Sequence, residues 1–148
     1  MVRWSLLCLM LQLFSCSPSE GESSAGAMGA ELAGLNIERV VMNQGVDVIL
    51  MENFTDYKGR NRAPVVSGRK GLVRVFVEPQ DVWQPRLVHA VLTLRSSQAV
   101  VHYDLIQPID GKSTTPNLES TLNFEVNADD LYVDTVFEVK LFEATPWQ

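Results

Sequence analysis

Cysteine is nearly missing from this sequence. There are two in 148 residues, Cys8 and Cys16, which excludes a disulfide-dense scaffold. A basic surplus is missing too. Twelve Lys and Arg stand against eighteen Asp and Glu, for a net charge of −6. With no excess of positive charge to neutralise phosphates, nucleic acid is not the expected partner. The most apolar stretch, Leu6–Phe14, is interrupted by Gln12 and falls well short of the ~20 apolar residues of a spanning helix. No H-E-x-x-H, G-x-S-x-G or P-loop motif is present, so the reading is a non-catalytic protein with no cofactor. What the chain does have is apolar material, 46% against 20% charged. That is enough for one packed domain and too little charge for a disordered chain.

The beginning of the chain reads as an address. Arg3 precedes the apolar run LLCLMLQLF, and small residues follow it, in the order of a secretory signal peptide. Leu13-Phe14-Ser15-Cys16 resembles the lipobox of bacterial lipoproteins. The resemblance implies a signal peptide over residues 1–15, cleavage before Cys16 and a lipid on its side chain. Ser17, in place of an acidic residue, implies the outer membrane or cell surface of a Gram-negative bacterium. A later cut, after Ala25-Gly26-Ala27, is the competing reading, although it lies far beyond the apolar run. Lipidation would consume the only cysteine left after cleavage, excluding thiolate ligands and thiol catalysis. Residues 16–35, rich in Ser, Gly, Ala and Glu, read as a flexible tether with an r.m.s. span of about 24 Å.

From residue 36 to 148 the pattern is that of strands. β-branched alternation recurs between turn-forming clusters, giving candidate strands at Asn36–Met42, Val46–Met51, Leu72–Glu78, Val88–Arg95, Ala99–Leu105, Thr121–Val126 and Val136–Glu143. Val73, Val75 and Val77 share one face, as do Leu122, Phe124 and Val126, and Phe137, Val139 and Leu141; Val46, Val48 and Leu50 make a fourth set. One apolar and one polar face mark antiparallel sheets. Seven short strands predict an all-β antiparallel sandwich of immunoglobulin or fibronectin-III type.

Two groups of residues are candidate sites. With Ser96-Ser97 as a two-residue turn, Arg95 sits opposite Gln98 and His89 opposite Asp104, with His102 diagonal to it. His89, His102 and Asp104 are then candidate zinc or copper ligands, or simply a surface ion pair beside a solvated histidine. The second group is the acid-free basic stretch of Lys58, Arg60, Arg62, Arg69, Lys70 and Arg74. It suits phosphate-bearing glycolipid head groups, an anionic glycan or an acidic protein partner. The competing reading is a solvated loop and a charged strand edge that discourages aggregation. Asp129-Asp130 reads as turn chemistry rather than a calcium loop.

The run from Ala63 to Val77, with Asn43-Gln44-Gly45-Val46 upstream, resembles the β-sandwich region near the N-terminus of secreted lipoproteins of Gram-negative bacteria. In those proteins a zinc metallopeptidase domain often follows. The resemblance implies an accessory immunoglobulin-like module, standing alone or left from a longer peptidase, and carries over no catalytic residue. The last candidate strand ends five residues before Gln148, where such a sandwich normally has another strand. Either a segment such as Pro64–Gly68 pairs there, or an edge is open to β-augmentation, with Trp83 and Trp147 as aromatic contacts or simply packed on the core.

Overall fold

The computed structural model describes residues 32–56 and 64–144. The lipobox, most of the tether, Lys58, Arg60, Arg62 and Trp147 lie outside the described residues. Among the described residues eight strands run in chain order: β1 Leu35–Asn43, β2 Asp47–Glu52, β3 Thr55–Asp56, β4 Gly71–Pro79, β5 Arg86–Arg95, β6 Val100–Ile109, β7 Leu122–Val126 and β8 Val136–Glu143. All seven expected strands form, and β3 is the addition. They make two antiparallel sheets, ordered β3-β2-β1-β4-β7 and β6-β5-β8, and the protein is the antiparallel all-β sandwich its alternation predicts.

The core lies between the sheets. From the larger sheet come Val40, Met42, Val73, Val75, Val77, Leu122, Phe124 and Val126, and from the smaller Val88, Ala90, Leu92, Leu94 and Leu141, all buried. The period-2 pattern delivers these side chains to one face because successive strand residues point to opposite sides. Leu35, assigned to the tether by composition, is buried in this core, and Leu32 packs against it. The folded part therefore reaches back further than Ser/Gly content suggests. Trp83 is also core: its indole N–H donates to the Ile109 carbonyl at 3.1 Å, and the Arg86 guanidinium stacks 3.9 Å from its ring centroid.

Three expectations are corrected. Val46 is not in a strand but in the β1–β2 loop, 57% exposed, because Gly45 at φ 102° and the Asn43–Asp47 side-chain bond turn the chain before β2 starts. Pro64–Gly68 joins no sheet; it is held instead by the Gln44 side chain, which bonds the Val66 amide and carbonyl. Among the described residues β8 pairs only with β5, and the Leu32 amide donates to the Leu141 carbonyl.

The third correction is the β5–β6 register. Arg95 faces Val100, not Gln98, and each pair is displaced by two residues. A two-residue type I′ turn needs positive φ at both central positions, which Ser-Ser does not favour. The chain instead makes a four-residue loop in which the Ser96 amide donates to the Ala99 carbonyl at 2.9 Å and the Ser96 hydroxyl accepts from the Ala99 amide at 3.1 Å. Asp134 accepts from the Ser97 amide at 2.8 Å. Hydrogen bonds from the Ser97 side chain and backbone hold the Asp134 carboxyl below its usual range. A slip of two preserves which residues face inward, so the face assignment survives while the partners change.

Two β-bulges shape β1. Its register against β4 shifts between Ile37 and Arg39, and against β2 between Val40 and Val41. The first makes Glu38 an extra residue, so Ile37 pairs with inward Val77 while Arg39 pairs with outward Phe76. Without the bulge Arg39 would point into the core.

Candidate functional site

The histidine group does not assemble as a metal site. His89 faces Ile106 across the ladder and Asp104 faces Val91, yet the diagonal reach brings His89 Nε2 to 2.7 Å from Asp104 Oδ1. His102, opposite Thr93, bonds the Thr93 hydroxyl through Nδ1 at 3.0 Å. Among the described residues no three imidazole, thiolate or carboxylate groups converge. His89 and Asp104 are a hydrogen-bonded pair, ionic only when the imidazole is protonated, and His102 turns to a neighbouring hydroxyl.

The described part of the basic stretch is divided. Arg69 and Lys70 lie at the end of the sandwich that carries the β1–β2 loop. There the Gln44 amide donates to the Arg69 carbonyl, and the Arg69 guanidinium lies against Gly45. Arg74 sits three residues into β4 on the outward face, opposite Val41 and Asn123. Its guanidinium donates to the Thr115 carbonyl at 3.2 Å and the Thr121 hydroxyl at 3.4 Å.

Arg74 has a partner that sequence spacing did not suggest. The guanidinium carbon of Arg39 lies 4.0 Å from the centroid of the Phe76 ring and that of Arg74 lies 5.0 Å from it. Both cations are held by the ring's negative face. Arg39 also donates to the Thr115 hydroxyl at 3.0 Å. Among the described residues neither guanidinium makes an ion pair. Two arginines are thereby brought together on one aromatic ring, with Glu52 paired to Arg39 across the ladder.

Arg39 opens into a hollow of about 290 Å³, which Asn53, Lys112, Thr114 and Thr115 also line. Glu38 and Glu52 contribute acidic groups to it. The segment after β6 is fixed there by Ser113, whose buried hydroxyl accepts from the Val77 amide at 2.9 Å while its own amide donates to the Val77 carbonyl. Lys112 bonds Glu78 at 2.6 Å and Glu38 at 3.3 Å, and these bonds hold its ammonium protonated above the ordinary lysine range. A second, larger groove of about 640 Å³ includes Gln107, Leu118, Asn123 and again Lys112. The smaller hollow is the stronger candidate because it contains a guanidinium. Neither hollow is lined by a histidine.

No known protein family, characterised protein or solved structure matches this chain. Its function has to be argued from the arrangement itself. Arg39 was missed in the sequence because it stands 35 positions before Arg74, and only strand pairing and the Glu38 bulge bring the two together. Arg39 and Phe76 become direct neighbours across the ladder. No helix among the described residues is long and apolar enough to cross a membrane.

Proposed function

We propose that this protein is a lipoprotein of the cell envelope, anchored in the outer membrane by lipid on Cys16, with a non-catalytic sandwich that binds anionic partners. Signal anatomy carries the anchor: a short basic start, a brief apolar run and Leu-Phe-Ser-Cys. Each buried methylene contributes about 0.8 kcal/mol, so several acyl chains on one cysteine hold without help from the protein. The observation that carries the binding role is the Arg39–Phe76–Arg74 stack. A guanidinium presents donors in a planar fork suited to carboxylate and phosphate. Among the described residues the Arg39 side chain donates one hydrogen bond, to the Thr115 hydroxyl.

Two measurements test these parts separately. In membrane fractionation, wild type is expected in the membrane pellet and Cys16→Ala in the soluble fraction; retention of the variant in the pellet defeats the anchor. Inorganic polyphosphate, a polyanion without sugar or lipid, is expected to bind wild type about tenfold more tightly than the Arg39→Gln/Arg74→Gln double variant. Equal binding by two equally folded proteins removes the contact.

A further inference from the structure

Phe54 stands where phenylalanine is costly. The β2–β3 hairpin turns on Asn53 and Phe54, at φ 49° and 61°. Positive φ at both central residues is what a two-residue type I′ turn demands, and Asn-Gly supplies it with least strain. Asparagine tolerates the left-handed region; a bulky aromatic there is an outlier. The fold gains little burial in return, since Phe54 is 79% exposed. An exposed ring on a strained backbone is a feature that function, not stability, accounts for.

The location agrees. Asn53, the residue before the ring, lines the hollow, and its amide donates to the Glu38 carbonyl at 2.9 Å. Across the ladder Thr55 pairs with Glu52, which pairs with Arg39. The hairpin turn that carries Phe54 therefore directly follows Glu52, the ladder partner of Arg39.

We propose that Phe54 and Arg39 together bind an acidic saccharide. A pyranose presents an apolar C–H face, which suits the exposed Phe54 ring. Its ring hydroxyls both donate and accept, which suits the side-chain amide of Asn53 and the hydroxyl of Thr114. A carboxylate or phosphate on the sugar meets the Arg39 fork. Lys112 lines this hollow and the larger groove alike, so the surface continues for an oligomer rather than ending at one unit. An anionic bilayer fits less well, because a flat layer of head groups does not enter a recess such as the one that holds Arg39. This inference rests on Arg39 as an anion contact.

The test uses full-length protein in detergent, with trigalacturonate, neutral galactotriose, a phosphorylated mannose oligomer, polyphosphate and phosphatidylglycerol vesicles as probes. Wild type is expected to bind at least one acidic sugar about tenfold more tightly than galactotriose. Whether the carboxylate or the phosphate sugar wins identifies the acid. Phe54→Gly is expected to weaken the acidic sugar about tenfold, leave polyphosphate within about twofold, and raise the thermal midpoint, because glycine relieves the left-handed strain. A merely structural Phe54 would lower that midpoint. If Phe54→Gly leaves sugar binding unchanged while Arg39→Gln weakens every anion, the saccharide inference falls and the anion contact stands. If Arg39→Gln weakens nothing, the contact itself falls. Binding of vesicles but of no sugar also overturns the inference and makes a lipid surface the occupant.

Discussion

Leu92→Ala is expected to lower the unfolding free energy by an amount in the upper half of the about 2–5 kcal/mol seen for buried leucines. Leu92 is fully buried at the middle of β5, between Tyr103 of β6 and Val139 of β8. β5 is the central strand of the three-stranded sheet, so neighbours on both sides are pinned by ladder bonds and cannot collapse into the space. The lost transfer energy and the cavity term then add. A domain of this size has about 5–15 kcal/mol in all, so one methyl-rich side chain carries a large share. Urea unfolding checks it: the midpoint should fall with the slope unchanged. Val100→Ala, at a side chain 51% exposed in the adjacent strand, should move stability by no more than about 0.5 kcal/mol. A loss below about 1 kcal/mol at Leu92 would mean that the two sheets do not pack there as described.

Gly71→Ala is expected to cost about 1–3 kcal/mol, although it adds only one methyl group. A Cβ at Gly71 would lie 2.6 Å from Met42 Cε, 2.7 Å from the Asn43 carbonyl oxygen and 2.7 Å from Gln44 Cγ. Met42 is itself fully buried, and the Asn43 oxygen is backbone in a paired strand, so neither yields freely. Gln44 is the third obstacle. Its side chain donates to the Val66 and Arg69 carbonyls at 3.0 and 2.6 Å and accepts from the Val66 amide at 2.8 Å. Pushing it aside leaves buried polar groups unmatched, which is the expensive way to lose a hydrogen bond. Gly111→Ala, where an added Cβ meets nothing within 4 Å, is the matched control and should be near neutral. Equal thermal midpoints for the two variants would contradict the close approach of β1 and β4.

Much of this fold is written locally. Val73, Val75 and Val77, or Leu122, Phe124 and Val126, alternate so regularly that strand and inward face follow from sequence alone. Partner choice is less local. The β5–β6 register turned on how Ser96 bonds its own loop, and a displacement of two leaves the apolar pattern intact, so patterning cannot detect it. The candidate site was the least legible part. Arg74 was visible as part of a basic run, but Arg39 and Phe76 reach it through a bulge and a ladder pair. Phe54 carried a weak signal, an Asn-Phe dipeptide between short β-prone segments, and only its φ and exposure make it notable.

The chain enters the sandwich at the same end that carries the hollow. Leu32 bonds Leu141 near the close of β8, and Glu38 and Arg39 follow within the first half of β1. Fifteen residues separate Cys16 from Leu32, and a chain of that length extends to no more than about 55 Å. Under the lipidation proposed for Cys16, the hollow would be leashed to the layer just above its membrane and would not sample the whole compartment. A ligand fixed in that layer is met at an effective concentration on the order of millimolar. Binding too weak to survive dilution is then sufficient for lasting occupancy, and release can remain fast.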